Sequence, residues 1–363
     1  MGAKYNLESK NAESKKADSA EAKTSMESES KPAHNARNAH TTPHIIPAQT
    51  TRAIPILSVA GSDCSGGAGM QADLKTFGAH GLYGMSVVLS VVAENTARVI
   101  SSFDVPVECI FEQFEAVFED IPPMATKVGM LGSRRIMDAV AQNFERYKPQ
   151  NIVIDPVMFA KNGFPLMPKS ERLAFAELIL PFADVLTPNI PEASELCGFA
   201  IKSLDDMKEA ARVLHKMGAK SVLVKGGHSG EAGDGGADSS AGVVDSANLD
   251  SGVRAVDSGV AESSVCVADS ANLDSSAGMG ANDVFFDGVD FSVFASPRIR
   301  TKNTHGTGCT LSSAIASNLA LGLPRAQAIQ KAKEYIFGAI LHSLELGKGH
   351  GPTNHFYRFA KDF

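Results

Sequence analysis

Between residues 54 and 225, short aliphatic runs alternate with stretches whose apolar residues recur at helical spacing. The runs at 54–60, 85–92, 126–130, 151–155, 184–186 and 221–225 read as strands, and those at 70–77, 107–119, 134–147, 169–180 and 204–217 as helices. A chain that inserts a helix between successive strands buries both faces of its sheet. The prediction is therefore an α/β fold of three layers, α/β/α, with a mostly parallel central sheet and helices on both faces. After residue 282 the runs 284–288 and 291–294 read as a hairpin, and 324–346 as a last helix packed on the sheet. Within 107–119 the predicted packed stripe is Cys109, Ile110, Phe114, Val117 and Phe118, which makes Cys109 a core residue.

Right-handed crossovers bring the carboxyl ends of parallel strands to one edge, where open α/β sheets bind ligands. Several predicted strands end there in small or polar residues: Glu94 and Asn95, Gly129 and Met130, Asp155 and Pro156, Asn189 to Glu192, and Lys225 to His228. Singly, each has an ordinary reading as a turn former, a first-turn helix acid or a solvated charge. Their convergence is what argues for a site. The first strand runs into Gly61-Ser62-Asp63-Cys64-Ser65-Gly66-Gly67-Ala68-Gly69, more glycines than a turn needs. The loop lacks the Gly-Lys-Ser/Thr ending of a P-loop and the spacing of a dinucleotide fingerprint, so it reads as a ligand contact of another kind.

The stretch Thr304-His305-Gly306-Thr307-Gly308-Cys309-Thr310 follows a segment, 298–302, that reads as extended, and leads into an Ala-rich apolar run, 311–321, that reads as a helix. A helix start leaves N–H groups without intrahelical acceptors and carries partial positive charge, a natural cradle for a phosphoryl group or oxyanion. Gly306 and Gly308 allow the tight path, and Cys309 at the helix start is expected to be drawn toward thiolate. A polarised sulfur beside such a cradle suggests phosphoryl transfer to a hydroxyl. The bland alternative is a helix entry with a buried, inert cysteine.

Residues 1–50 are polar and lack apolar periodicity, and are expected to be a disordered leader before a single domain at 51–363. His34, His40 and His44 in it read as solvated. A Gly-, Ser- and Asp-rich insertion at about 230–282 carries Asp-Ser-Ala-Asn-Leu-Asp-Ser twice, starting at Asp245 and Asp269, too short a repeat for a solenoid. Cys266 inside it reads as incidental. A net charge of −7 with no basic patch gives no reason to expect nucleic acid or a membrane surface as partner. Five cysteines without metal-ligand spacing fit reduced thiols in a cytoplasmic protein.

Taken together, these stretches resemble the hydroxymethylpyrimidine and phosphomethylpyrimidine kinase family of thiamine biosynthesis, within the ribokinase-like superfamily. The likeness runs from about Ile54 to Phe356, interrupted by the insertion. It rests on the glycine loop with Met70 to Phe77 behind it, Val92-Ala93-Glu94-Asn95-Thr96, Lys127 to Leu131, Asp155-Pro156-Val157-Met158, Thr187-Pro188-Asn189 through Glu195, Val224 to His228, and Asn303 to Leu311.

The resemblance implies ATP- and Mg2+-dependent phosphorylation of 4-amino-5-hydroxymethyl-2-methylpyrimidine to the monophosphate and then the diphosphate. It implies Cys309 as the group that activates the acceptor hydroxyl, with Gly306, Thr307 and Gly308 around the transferring phosphoryl group. Asp73 and Glu94 are implied on the pyrimidine edge, with Gly61, Val92, Met130 and Val157 around the ring. Asn189, Asp155 and Lys225 are implied near the nucleotide phosphates, and Glu192 at the magnesium. A homodimer is a further expectation. Departures from the family pattern are the leader, the insertion, Cys64 where relatives often carry proline, and Glu94 where many carry glutamine. The competing readings are a pyridoxal kinase of the same superfamily and a protein that binds the pyrimidine without turning it over.

Overall fold

The computed structural model describes residues 51–160, 163–227, 267–268 and 281–359. The predicted leader, most of the predicted insertion and His228 lie outside the described residues. The chain runs β1 (Pro55–Asp63), α1 (Gly69–Ala79), β2 (Tyr83–Glu94), β3 (Val99–Asp104), α2 (Val107–Asp120), β4 (Thr126–Val128), α3 (Arg134–Tyr147) and β5 (Ile152–Ile154). It continues with α4 (Arg172–Leu178), β6 (Val185–Leu186), α5 (Ile190–Cys197), α6 (Leu204–Lys216), β7 (Val222–Val224), β8 (Val267–Ala268), β9 (Asp283–Phe286), β10 (Phe291–Phe294), α7 (Thr307–Ala320) and α8 (Arg325–Leu341).

The strands form one ten-stranded sheet in the order β3-β2-β1-β4-β5-β6-β7-β9-β10-β8. From β2 to β7 every neighbouring pair is parallel, and antiparallel strands extend the sheet at both ends. The period of two along the strands sorts side chains onto the two faces. Leu57, Val59, Val128, Ile152, Ile154, Leu186, Val222 and Val284 join one buried cluster with residues of α2, α3, α4 and α6. Their alternates Ile56, Val153, Val185, Leu223, Phe285 and Phe294 join a second cluster with α7, α8 and Phe77 of α1. Two dry layers on opposite faces are what the alternation of strand and helix demands. No helix among the described residues is long and apolar enough to cross a membrane.

Four local expectations differ. Residues 298–302 form no strand; the strand before the glycine turn is β10. The β-branched residues there are flanked by arginines and lysine, and no strand among the described residues pairs with them as a ladder. The helix expected over 169–180 breaks into a 3-10 turn, Lys169–Glu171, then α4, then a second 3-10 turn, Leu180–Phe182, because Pro181 has no N–H with which to continue the α ladder. β3 was not visible in the sequence: its residues are mostly exposed at the sheet edge, so they carry no clear alternation. Cys109 is half-buried, whereas Ile110 and Phe114 of the same helix are fully covered.

Candidate active site

The carboxyl ends of β1, β2, β4, β5, β6 and β7 share one edge, as the parallel pairing requires, and there they surround a cavity of about 350 Å³. Its wall includes Gly61, Val92, Glu94, Met130 and Val157, followed by Asp155, Asn189, Glu192 and Lys225, and closes on Gly306, Thr307, Gly308 and Cys309. A second cavity of about 340 Å³ lies beside it and shares Lys225, Thr304, Thr307 and Gly308 with the first. The glycine turn is thus where the two chambers meet. Arg298, Arg300 and Lys333 line the second one, and sequence reasoning did not single them out. Their signal was weak, since basic residues in an irregular segment look like ordinary surface.

α7 begins at Thr307, four residues earlier than the apolar run suggested, so Cys309 sits in its first turn. Gly306 precedes the helix with φ +76°, a conformation open to glycine at little cost, and a Cβ there would collide with the Gly67 carbonyl. The two glycine loops therefore interlock, and Gly67 in turn packs on the His305 ring. His305 Nε2 lies 2.8 Å from Asp63 Oδ2. The Asp63 carboxylate also accepts the backbone N–H groups of Ser65 at 2.7 Å, Gly67 at 3.0 Å and Ala68 at 2.7 Å. Burial alone would raise the Asp63 carboxyl, but the hydrogen bonds of His305, Ser65 and Ala68 outweigh it and hold the group well below the usual carboxylate range. Asp63 and His305 are organising residues that the sequence reading passed over, although both stood inside its glycine motifs.

Ligand atoms of Asp63, Glu94 and His305 lie within 4.8 Å of one another, close enough to hold a cation in principle. The oxygens of Asp63 are already taken by three amides and an imidazole, so the cluster reads as a structural lock. Glu94, at the end of β2, is half-buried, and its carboxyl is pushed up to about 7 by burial and by the Asp63 charge, with His305 opposing. Cys64 Sγ meets the backbone on both sides of it, donating to the Glu94 carbonyl at 3.0 Å and accepting from the Glu94 amide at 3.4 Å. A proline at position 64 would lose this tether between the glycine loop and β2.

Asn189 and Glu192 close a capping box at the start of α5: the Glu192 amide donates to Asn189 Oδ1 and the Asn189 amide to Glu192 Oε2, each at 2.8 Å. The Asn-x-x-Glu spacing thus has a structural use at the cavity wall, where the Met158 backbone N–H also hydrogen-bonds the Glu192 carboxyl. Burial pushes Glu192 up to about 7; Lys225 opposes and the nearby Asp155 adds to it. Lys225 Nζ donates to Asp155 Oδ1 at 2.6 Å, and Thr187 Oγ1 donates to the same oxygen at 3.1 Å. A Cβ on Gly308 would stand 3.1 Å from Asp155 Oδ2 and 3.5 Å from Lys225 Nζ, so the turn passes directly over this ion pair.

Two expectations are corrected. Asp73 does not face the cavity: it is fully buried beneath it, its carboxylate accepting from Ser58 Oγ at 2.6 Å, Lys127 Nζ at 2.9 Å and Ser313 Oγ at 2.7 Å. Cys309 is not drawn to thiolate by its position alone. Burial pushes its thiol up to about 11, Lys127 works against that, and Asp73 and Asp155 add to it. The helix end offers partial charge, but desolvating a full negative charge on sulfur costs more.

A family model described as Phosphomethylpyrimidine kinase matches residues 63–257 and 261–354. A thiamine biosynthesis bifunctional protein of Geobacter sulfurreducens is 42% identical over 300 residues, 83% of this chain and 52% of the relative, so the chain spans about half the length of that protein. The hydroxymethylpyrimidine/phosphomethylpyrimidine kinase of Haemophilus influenzae is 40% identical over 302 residues, covering 83% of this chain and 96% of the relative. Among solved structures, an ADP complex of Bacillus subtilis pyridoxal kinase superposes with a TM-score of 0.66 at 33% identity, over 84% of this chain and 98% of that one. The three-layer sheet is shared with that ribokinase-like kinase.

Proposed function

Because this chain belongs to the phosphomethylpyrimidine kinase family, we propose that it uses ATP to phosphorylate 4-amino-5-hydroxymethyl-2-methylpyrimidine and then the resulting monophosphate, supplying the diphosphate for thiamine diphosphate biosynthesis. The observation that carries the reading is the junction of two chambers at a glycine turn bearing a thiol: the first joins walls suited to a small ring to the phosphate-side residues Asp155, Asn189, Glu192 and Lys225, and the second, which shares Lys225 and the turn, is suited to the rest of a nucleotide. Phosphoryl transfer needs the acceptor oxygen and the γ-phosphate in line and within reach of each other, as at a place where two chambers meet, with donors aimed at the oxygens that gain charge.

In this reading the hydroxymethyl oxygen attacks the γ-phosphorus, the bond to the bridging oxygen of ADP breaks, and the hydroxyl proton passes to Sγ of Cys309 in its thiolate form. The amides of Gly308 and Cys309, in the unpaired first turn of α7, face the phosphoryl oxygens. Lys225 and Asp155, under Gly308, orient the same group, and Asn189 keeps Glu192 at the rim. The acidic pair of Glu192 and Asp155 fits a hard cation that keeps several waters, so Glu192 would hold Mg2+ partly through water, and the ion would neutralise phosphate charge. Gly61, Val92, Met130 and Val157 provide walls for the ring. The partners this reading requires are the pyrimidine and ATP, and no nucleic acid or membrane surface.

Glu94 supports the pyrimidine over pyridoxal as the acceptor. A carboxyl that stays protonated up to about pH 7 offers one donor and one acceptor side by side, the complement of a ring nitrogen next to an exocyclic amine. The likeness to a pyridoxal kinase keeps the other acceptor as the second reading. Measuring ADP release with each compound separates them: faster turnover of the hydroxymethylpyrimidine is expected, and turnover of pyridoxal alone would reverse the assignment. For the homodimer, Val91 of β2 and its cross-strand partner Phe103 of β3, both largely exposed, offer an apolar face to a second copy. Sedimentation of wild type against Phe103→Glu tests that face, with a shift to monomer expected.

A further inference from the structure

Below the cavity floor, β1, α1, β4 and α7 meet at one polar knot. Lys127 on β4 and Asp73 on α1 are fully buried, with Nζ 2.9 Å from each carboxylate oxygen. Ser58 of β1 and Ser313 of α7 complete the Asp73 carboxylate. Ser313 lies four residues after Cys309 on α7, so the two side chains share one helix face a turn apart. The lysine ammonium also abuts Gly129, where a Cβ would stand 2.8 Å from Nζ, next to Met130 of the cavity wall. An ammonium has three N–H donors, and among the described residues the acceptors of Lys127 are the two oxygens of one carboxylate.

A buried ion pair adds little net stability compared with well-packed apolar side chains. Four elements nevertheless converge to hold this one, and through Ser313 it meets α7 one turn along from the thiol. Resting on the kinase reading of Cys309, we propose that Lys127, oriented by Asp73, is a positioning residue that supplies the positive charge against which Cys309 ionises before it takes the acceptor's proton. When the sulfur is negative it shares the ammonium with Asp73, and when it has taken the proton the ammonium returns to Asp73 alone. Lys127 opposes the effect of burial on Cys309 more than any other charge does, while Asp73 and Asp155 act against it. Lys225, the other cation near the sulfur, is tied to Asp155.

The test is the rate of Cys309 alkylation by iodoacetamide at pH 8, read by mass spectrometry on the peptide that contains Cys309 and needing no phosphoryl transfer. The thiolate sulfur forms the new bond to carbon as iodide leaves, so the rate follows the ionised fraction. Lys127→Met is expected to slow the reaction about tenfold, and Asp73→Asn, which frees the ammonium, to speed it about tenfold; a factor of ten corresponds to one pKa unit. Opposite effects support the proposal. Effects in the same direction, or none, overturn it, because a merely structural knot would loosen alike from either side. If Lys127→Met does not fold, the pH midpoint of alkylation in Asp73→Asn decides: a midpoint below that of wild type supports the proposal, and an unchanged or raised midpoint, whatever the rate, overturns it. Should the wild type alkylate as expected yet release no ADP with any acceptor, the kinase reading would fall while the coupling of Lys127 to Cys309 stood.

Discussion

His305 Nε2 sits 2.8 Å from Asp63 Oδ2, joining the last residue of β1 to the turn before α7 across 242 residues of sequence. The Asp63 carboxylate stays ionised far into acid and also gathers three backbone amides, so the shape of both glycine loops depends on it.

Asp63→Ala leaves those buried donors without an acceptor. The variant should lose about 1–3 kcal/mol of unfolding free energy, the cost of buried unpaired polar groups, and more turnover than that loss explains. Urea titration alongside an ADP-release assay checks both. An unchanged unfolding midpoint would show that the lock is not structural.

Gly306 and Gly322 both have positive φ, +76° and +85°, but only Gly306 has another backbone where a Cβ would go. Gly322→Ala should cost about 1 kcal/mol, the strain of the left-handed region alone, and leave activity near the parent level. Gly306→Ala has to push apart the two loops and should abolish most turnover. Comparable activities for the two variants would mean that the interlock with Gly67 does not matter.

On the proposed reading, Glu94 is the group expected to make pyrimidine binding depend on pH. Its carboxyl, raised to about 7, holds a proton in the folded protein between about pH 4.5 and 7 that it lacks in the unfolded chain. Stability contributed at this position is therefore lost as pH rises through that window. His355, lowered to about 4 by burial, changes stability in the opposite sense between 4 and 6.5, so only a difference between variants is informative. Glu94→Gln should gain stability relative to wild type from pH 4.5 to 7 in thermal melts. Its pyrimidine affinity, measured by calorimetry, should lack the decline above pH 7 expected of wild type. Parallel pH curves for the two proteins would remove Glu94 from both effects.

Much of the fold and the rim of the site could be read in the sequence, because parallel order sends every strand's carboxyl end to one edge. Glu94, Met130, Asp155, Asn189, Glu192 and Lys225 all met there for that reason. The pairing of Asp73 was not legible. Sequence placed it on a helix behind a ligand loop, but which side of that helix meets β4 and α7 depends on packing over more than two hundred residues. The ionisation of Cys309 was hidden for a related reason: the helix start is visible in a string of letters, and the desolvation around it is not. β3, the loop at 298–302 and the tether from Cys64 to Glu94 depend on neighbours distant in sequence, and residue type alone carries little trace of them.

The central claim is that separated strand ends compose one transfer site with the sulfur of residue 309 facing the acceptor. Cys309→Ala, assayed for ADP release and, by calorimetry, for pyrimidine binding, tests it most directly. Turnover should fall by roughly 10²–10⁴, the usual worth of a positioned general base, while the pyrimidine still binds with nearly wild-type affinity. Turnover at the wild-type rate, or loss of pyrimidine binding to the same extent as turnover, would contradict the account.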